Sequence, residues 1–253
     1  MGLRTVRTGL LDIETFPSLG YFWGLWDQNI GINQIKVPSE MVCFAWKWLG
    51  EPNNTTVYFS TYHNSKQEML TALHALMDEA DAIIHYNGKN FDMRWIRTEF
   101  ALARMDKPSP WVDIDLLTIV KKEFRFESNK LDYVLQRFGL RRKRRNDGFA
   151  LWLGCMNNDP KSWARFRLYN IQDVTVMEPL YNRILGWISG HPNVALIDGV
   201  PDGCTNCGST RLQRRGVRRT AQRVYQQFRC MNCGKWMRSP KSEPSVSTMV
   251  GIS

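Results

Sequence analysis

The stretch LLDIETFPSL, residues 10–19, places two acids inside an apolar run. Its leucines and isoleucine predict a short buried strand, and Asp12 and Glu14 lie two positions apart within it. Because side chains alternate along a strand, both carboxylates point to the same face. Two like charges on a largely buried strand are costly unless a cation joins them. The stretch therefore predicts a site for positive charge whose other ligands come from elsewhere in the chain.

The composition is that of a globular protein. The chain has 253 residues, enough for one sizeable domain and a small module, and 43% of them are hydrophobic. No run approaches the roughly 18 apolar residues of a membrane helix. The N-terminus MGLRTVRTG lacks the apolar segment of a signal peptide. We expect a soluble intracellular protein without a membrane partner.

The net charge of +10 is concentrated in one short segment. Residues 1–203 carry 24 basic and 23 acidic side chains, whereas Cys204 to Arg238 carry nine basic side chains and no acid. Such a segment indicates an anionic partner, and nucleic acid is the favoured one. A surface that only increases solubility is the alternative.

The order of the hydrophobic patterns predicts the fold class. After the first strand, three more strands are predicted over GYFWGLWD (20–27), MVCFAWKWLG (41–50) and TTVYFS (55–60). Helical patterns then alternate with short apolar strands, with Ser65 and Asn90 as candidate N-caps. A long helical pattern over residues 160–187 contains Pro179, which is expected to kink or break it. These patterns predict an α/β fold with a mixed sheet flanked by helices.

Two further acids stand out from their surroundings. Asp92 lies in YNGKNFD, where a strand ends and a helix begins, and Asp173 lies four residues after Tyr169 in LYNIQDV. On a helix that spacing places the tyrosine and the aspartate on one face. Each pattern alone is weak, since an Asp near a helix N-terminus usually stabilises only the helix. Their order along the chain carries more information than any one of them.

In this order and context the set resembles the DEDD exonuclease superfamily, whose catalytic domain has an RNase H-like fold. The resemblance covers roughly residues 9–187. The motif D-x-E corresponds to Asp12 and Glu14, and N-x-x-x-F-D ends at Asp92. Y-x-x-x-D, from Tyr169 to Asp173, indicates the DEDDy subclass, because the other branch requires a histidine one position earlier. The chain is similar to the proofreading domains of family B DNA polymerases and to stand-alone exonucleases of bacteria and tailed phages.

The resemblance implies a 3′→5′ exonuclease with two Mg²⁺ or Mn²⁺ ions held by Asp12, Glu14, Asp92 and Asp173. Four hard carboxylates without His or Cys suit these metals rather than zinc. Two such ions about 3.5–4 Å apart can hold a phosphodiester for in-line attack by water. Asp12 would bridge the ions, Glu14 and Asp173 would serve the nucleophile side, and Asp92 the leaving-group side. Tyr169 would orient the attacking water, since a phenol of pKa about 10 is a poor base.

Other residues are candidates for contact with the nucleic acid, each with a structural alternative. A turn needs polar residues in any case, and an aromatic residue after a strand often packs in the core. A run of cations is often only a solvated loop. Asp113 and Asp115 could lie near the site or be structural. The candidate contacts are Thr15, Phe16, Asn87, Lys89, Arg141, Arg142, Arg144 and Arg145.

Two CxxC pairs define a C-terminal module. Cys204 and Cys207 are separated by 22 residues from Cys230 and Cys233, and each pair is followed by glycine. Four thiolates suit one structural, tetrahedral Zn²⁺, and the module resembles a zinc ribbon. Two disulfides are the alternative. The arginines between the pairs are expected to hold nucleic acid, and docking of a protein partner is the alternative; the candidates are Arg214, Arg215, Arg218 and Arg219.

These features predict four regions. Residues 1–190 form an RNase H-like DEDDy exonuclease domain, 191–203 a linker, 204–238 a zinc ribbon and 239–253 a disordered tail. The predicted function is hydrolysis of DNA from the 3′ end by a two-metal mechanism. An exoribonuclease, or a non-catalytic nucleic-acid-binding or recombination factor, is the alternative. The resemblance suggests the cytoplasm of a bacterium or of a phage-infected host.

Overall fold

The structure, a computed structural model, describes residues 5–142, 148–220 and 222–243. The chain divides into two compact units, one of which is Arg7–Leu180. The other comprises the described residues from Tyr181 onward together with residues 5 and 6. Within the part of the chain that the structure describes, no helix is both long and apolar enough to cross a bilayer.

The described residues of the first unit form seven strands and six α-helices, the last of which continues past residue 180. The strands are β1 (Thr8–Phe16), β2 (Leu19–Gly20), β3 (Ile35–Val37), β4 (Glu40–Trp48), β5 (Val57–Ser60), β6 (Ala82–His85) and β7 (Val112–Asp115). The helices are α1 (Lys66–Asp78), α2 (Asp92–Leu102), α3 (Leu116–Glu123), α4 (Leu131–Arg137), α5 (Phe149–Met156) and α6 (Pro160–Ile184).

A five-stranded mixed sheet has the order β5-β4-β1-β6-β7. The central strand β1 pairs antiparallel with β4 and parallel with β6, while β5 is antiparallel to β4 and β7 is parallel to β6. This arrangement confirms the predicted α/β class. It also places Asp12 and Glu14 on the central strand, where β4 pairs with them on one side. On the other side the pairing of β1 with β6 ends at Leu10, so both acids lie beyond the end of β6.

Helices cover both faces of the sheet. On one face, Leu11 and Ile13 of β1 pack in a buried cluster with residues of α1 and α2. On the other face, Cys43 packs with Leu151 of α5 and with Trp163 of α6. Because side chains alternate along β1, Asp12 and Glu14 point away from the first cluster and towards α5 and α6. The sheet thus directs both carboxylates to the layer that contains Tyr169 and Asp173.

The predicted strand over residues 20–27 is wrong. Only Leu19 and Gly20 pair with β3, and residues 21–31 contain no strand. The alternation of aromatic residues there resembles a strand, but the side chains of Trp23 and Trp26 are exposed and Asp27 adopts a positive φ of 51°. Without a buried face, the alternating pattern does not lead to pairing.

Two details of the helices also differ from expectation. Phe91, and not Asn90, occupies the capping position of α2 and makes no side-chain hydrogen bond to the helix. The backbone N–H of Asn90 instead donates to the carbonyl of Asn87 in the preceding turn. Helix α6 runs through Pro179 without a break, and a kink there stays a prediction. The neighbours Met177 and Leu180 are buried, and their packing offsets the lost hydrogen bond.

The second unit contains a small antiparallel sheet. Its elements are α7 (Val194–Ile197), β8 (Leu212–Arg219), β9 (Val224–Cys230) and β10 (Trp236–Arg238), in the sheet order β10-β9-β8. The predicted linker, 191–203, contains α7, which the side chain of Asn193 caps. Asp198, just after α7, accepts a hydrogen bond of 2.8 Å from the backbone of Val6. These contacts give the segment a defined conformation.

Candidate metal centres

Three of the predicted acids converge in the first unit. Asp12 and Glu14 of β1 and Asp173 of α6 each offer a carboxylate oxygen, and these oxygens all lie within 4.8 Å of one another. Asp173 is buried. Three carboxylates this close repel one another unless a cation joins them. The donor set consists only of oxygen, so it fits a hard divalent cation such as Mg²⁺ or Mn²⁺.

Asp92 is held beside this group by the backbone of β1. Its Oδ1 accepts a hydrogen bond of 3.1 Å from the N–H of Ile13, the residue between the two acids. Asp92 is not one of the three residues whose oxygens form the close group. Burial disfavours the charged form and raises the pKa of Asp92 to about 6, although the hydrogen bond from Ile13 works in the opposite direction. The structure therefore places Asp92 next to the group, at the start of α2.

Tyr169 lies in the same electrostatic environment. Burial raises the pKa of its phenol above the ordinary value, and the negative charges of Asp173, Glu14 and Asp12 raise it further. A hydrogen bond joins its side chain to Asp173. The phenol is thus protonated at neutral pH and donates its one proton to Asp173, so it cannot act as a general base, although its oxygen can still accept a hydrogen bond from a water molecule.

Asn170 is a member of the site that sequence analysis missed. It is fully buried, and its Nδ2 donates to Asp12 Oδ2 over 2.7 Å and to the Asp12 carbonyl over 3.3 Å. These two bonds orient the carboxylate of Asp12. An asparagine in a helical pattern gives no signal of this role, because its partner is 158 positions away in the sequence.

A second hydrogen-bonded group fixes the turn that leads to Asp92. The buried His85 accepts a bond of 3.1 Å from Gly88 N–H at Nδ1, and its Nε2 lies 3.2 Å from Asp113 Oδ1. Asp115 Oδ1 accepts a bond of 2.9 Å from the backbone N–H of Asn87. A Cβ at Gly88 would lie 2.5 Å from His85 Cγ, so the turn requires glycine there. The two aspartates thus support the turn, a role sequence analysis left open.

Two predicted contacts follow the D-x-E motif. The carbonyl of Thr15 accepts a hydrogen bond of 3.1 Å from Trp152 Nε1. The ring of Phe16 lies 5.7 Å from that of Trp163 and packs against the buried cluster of α5 and α6. Phe16 is therefore partly buried against the core. Contact of Thr15 or Phe16 with a nucleotide stays a prediction.

The predicted basic contacts are solvent-accessible where they are described. Lys89 and Arg141 are exposed, and so is the side chain of Asn87, whose φ is +68°. Arg142 forms an ion pair with Asp132, with Nε 3.1 Å from Oδ1. Arg144 and Arg145 lie outside the described residues. For Arg142, a phosphate would have to compete with the carboxylate of Asp132.

The four thiols of the second unit form a separate centre. The sulfurs of Cys204, Cys207, Cys230 and Cys233 all lie within 4.8 Å of one another. Two of the separations are 3.6 Å and 3.7 Å. These match the roughly 3.8 Å edge of a tetrahedron with Zn–S bonds of about 2.3 Å, whereas a disulfide needs about 2.05 Å. The cysteines are free, and the set is compatible with one structural zinc ion.

Contacts within the second unit support this thiol centre. Asn206 Nδ2 donates to the carbonyls of Leu185 and Ile188 over 2.9 Å and 3.0 Å. Lys235 Nζ donates to the same carbonyl of Ile188 over 2.6 Å. A Cβ at Gly186 would lie only 2.3 Å from the carbonyl oxygen of Cys233. Both CxxC turns are thus packed against residues 185–188.

The strand register sorts the arginines of this unit into two faces. Arg218 lies opposite Tyr225, and the guanidinium of Arg238 lies 3.9 Å from the centre of the Tyr225 ring. Trp236 lies opposite Arg229. Because opposite residues of antiparallel strands share a face, these five side chains form one surface, which we call the basic aromatic face.

The other predicted arginines lie elsewhere. Arg214 is opposite Phe228 and bonds to Gln226, so it belongs to the reverse face, as does Arg219. Arg215 lies in a bulge with Gly216. Of the four arginines proposed from the sequence, only Arg218 shares the face with Tyr225.

Comparisons with known proteins agree with this architecture. A family model described as the RNase_H superfamily matches residues 38–185, so β1 with its two acids precedes the matched region. The fold is also similar to the family B DNA polymerase of the hyperthermophilic archaeon Pyrobaculum calidifontis, with a TM-score of 0.52 and 16% identity. The similarity covers 87% of this chain and 32% of that polymerase, and it indicates a shared fold. No curated protein matches the sequence.

Proposed function

Because the chain belongs to the RNase_H superfamily, we propose that it is a metal-dependent nuclease that removes nucleotides from the 3′ end of DNA. One observation carries the proposal: Asp12, Glu14 and Asp173 converge within 4.8 Å from two distant elements. Tyr169 completes the arrangement through its hydrogen bond to Asp173. The resemblance of these motifs to DEDDy exonucleases supports the direction of attack.

The carboxylates would hold the catalytic metals. Asp12, Glu14 and Asp173 provide the close group, with Asp92 beside them, and two Mg²⁺ or Mn²⁺ ions would supply an activated water and stabilise the departing oxygen. The chain itself contributes orientation. Asn170 fixes the carboxylate of Asp12.

Tyr169 would orient the attacking water. Since its pKa is raised, the phenol stays protonated and does not take the proton of the water. It donates its hydrogen bond to Asp173, which fixes the position of the phenol oxygen, and that oxygen would accept a hydrogen bond from the nucleophilic water. We expect Tyr169→Phe to reduce turnover, and also to weaken metal binding, because it removes a hydrogen bond to the proposed metal ligand Asp173.

The proposed zinc ribbon, residues 204–238 of the second unit, would bind the nucleic acid through the basic aromatic face. Its arginines can neutralise phosphates, while Tyr225 and the exposed Trp236 can stack on bases. The side chains of this unit from Cys204 to Arg238 include no acid that would oppose binding. One zinc ion in the thiol centre would have only a structural role.

The decisive experiment uses full-length protein, Mg²⁺, and DNA and RNA strands labelled at either end. Strands labelled at the 5′ end should give a ladder of shortened products, and strands labelled at the 3′ end should release a labelled mononucleotide first. Asp173→Asn should abolish both, whereas Asp132→Asn, the same change outside the site, should not. Hydrolysis retained by Asp173→Asn, or absent from the unmodified protein with either Mg²⁺ or Mn²⁺, would refute the proposal. Faster hydrolysis of RNA would reassign the substrate.

Binding of nucleic acid by the ribbon is tested separately, from the dependence of the binding constant on salt concentration. Each phosphate contact on single strands contributes roughly −0.7 to the slope of log K against log salt. Replacing Arg218 and Arg238 by alanine should therefore make the slope shallower by about 1.4. Arg214→Ala, on the reverse face, is the matched control and should change it little. Equal effects of both changes would mean that the face has no special role.

A further inference from the structure

An ordered arm connects β1 to β4. We define the aromatic arm as residues 17–39, which include the short strands β2 and β3. Beyond these strands, the backbone N–H of Tyr21 donates to the carbonyl of Gln34 over 2.9 Å, and Gln34 Nε2 donates to the carbonyl of Tyr21 over 2.9 Å. Gln34 Oε1 also accepts from Gly31 N–H over 2.8 Å. The arm thus has a hydrogen-bonded stalk and a loop of defined conformation.

The arm exposes an unusual amount of apolar surface. Trp23 is 97% exposed and Trp26 is 82% exposed. Its 23 residues contain one acid, Asp27, and one base, Lys36. Exposed apolar patches of this kind mark interaction sites. The large exposed apolar side chains of the arm are Leu19, Tyr21, Phe22, Trp23, Leu25, Trp26, Ile30, Ile32, Ile35 and Val37.

The position of the arm connects it to the carboxylate group. The arm begins three residues after Glu14, a span of about 10 Å for extended chain. It returns through β4, where Glu40 lies opposite Phe16 and Met41 opposite Thr15. Both ends of the arm are therefore anchored in the strand pair that presents the catalytic acids.

We propose that the aromatic arm stacks on unpaired bases of the nucleic-acid strand whose end is being hydrolysed. This inference rests on the proposed function. The arm has no net positive charge for phosphate binding, since Asp27 balances Lys36, but its tryptophans offer the flat surfaces on which bases stack. Stacking tolerates every base, which suits an enzyme that must process any sequence. The attachment of both ends beside the acids favours the substrate over a protein partner as the occupant.

The test separates stacking from electrostatics. Binding of a short single-stranded oligothymidylate is measured by fluorescence anisotropy with full-length Asp173→Asn protein, without added magnesium and across a salt series. Adding Trp23→Ala should weaken binding about tenfold, and Trp26→Ala should do the same. The slope of log K against log salt should not change, because stacking releases no counterions.

Two control variants identify the kind of contact. Trp23→Phe keeps an aromatic face and should recover most of the lost affinity. Ile32→Ala removes an 88% exposed aliphatic side chain from the same arm and should change affinity less than about twofold. If both alanine variants at tryptophan bind like the parent protein, or if Ile32→Ala loses as much as they do, the inference is overturned.

Self-association and failure of hydrolysis are also distinguished. A concentration-dependent dimer in sedimentation that Trp23→Ala abolishes, with unchanged affinity for the strand, would assign the arm to a second copy and overturn the inference. Because the measurement is of binding, an inactive protein whose affinity falls by the same factor at every salt concentration when either tryptophan is replaced would refute only the proposed hydrolysis. An active protein whose affinity for the strand is unchanged by the tryptophan substitutions would refute only the role of the arm.

Discussion

Replacing Asn170 by alanine should weaken metal binding at the carboxylate group without unfolding the protein. The side chain of Asn170 is fully buried, and its Nδ2 is the donor 2.7 Å from Asp12 Oδ2. The same nitrogen bonds to the Asp12 carbonyl. The substitution therefore removes both contacts that align the Asp12 side chain with its own strand.

The magnitude follows from the charge of the acceptor. A hydrogen bond to a charged group contributes about 1.5–3 kcal/mol, and loss of a partner that orients a metal ligand typically costs about 10–100-fold in metal affinity. These values agree, because tenfold corresponds to about 1.4 kcal/mol. Losing the donor also makes the carboxylate more basic, which alone would favour the metal. The loss of orientation outweighs this effect, because a ligand about 0.5 Å out of place no longer shares the ion.

The assay is titration with Mn²⁺, followed by electron paramagnetic resonance, beside a thermal melt of the same sample. Asn170→Ala should bind Mn²⁺ about 10–100-fold more weakly. Cys43→Ala is the matched control, because it removes the contact of Cys43 Sγ with Asn170 Oδ1, 3.8 Å away, and leaves the Nδ2 donor of the same amide in place. Affinity within twofold of wild type in a folded Asn170→Ala protein would show that the amide does not orient Asp12.

Two other perturbations test the titration of Asp92 and the packing of the thiol centre. Burial raises the Asp92 pKa from 3.8 to about 6, so its stabilising contribution in metal-free protein is present at low pH and is lost as pH rises through that range. At pH 7.5 the free energy of unfolding of Asp92→Asn should therefore exceed that of wild type by up to about 3 kcal/mol. At pH 3 the two proteins should be equally stable. Denaturant curves with the same difference at both pH values would contradict this. Gly186→Ala should move the Cys233 turn, since the added Cβ would lie 2.3 Å from its carbonyl oxygen, and should cost about 1–3 kcal/mol with loss of zinc. Elemental analysis of wild type should find one zinc per chain, and undiminished zinc in the variant would count against the predicted clash.

Elements with strong local signals were predictable. Helix α1 begins where Ser65 caps it, and Glu68 completes the capping box with hydrogen bonds to Ser65. The buried strand β4 and the mixed sheet follow from apolar runs that need a covered face. The predicted strand over 20–27 was wrong because it has no covered face, and aromatic alternation indicates a strand only where one face is buried. Pro179 likewise lies inside α6, because burial of its neighbours outweighs its local preference.

The residues of the candidate site likewise fall into those that the sequence predicts and those that it does not. The acids and Tyr169 were recognisable because their residue types and spacings form a pattern along the chain. Asn170 and His85 were not, since each is a buried side chain whose hydrogen-bond partner is supplied by another element. Polar residues of this kind are ordinary in sequence, and only the packed structure determines which donors lie within 3 Å of a carboxylate.

The C-terminal unit shows most directly what the sequence determined and what the tertiary structure determined. The sequence by itself established the four thiols, the excess of arginine and the absence of acids from Cys204 to Arg238, because composition and spacing are local properties. Only the tertiary structure decided which arginines share a face. The bulge at Gly216 adds one residue to β8 and so shifts the alternation of side chains by one position. Arg218 is consequently brought to the face of Tyr225 and Arg238, while Arg214 is turned to the reverse face. A period of two cannot be extrapolated through a bulge, because the partner strand sets the register on each side of it.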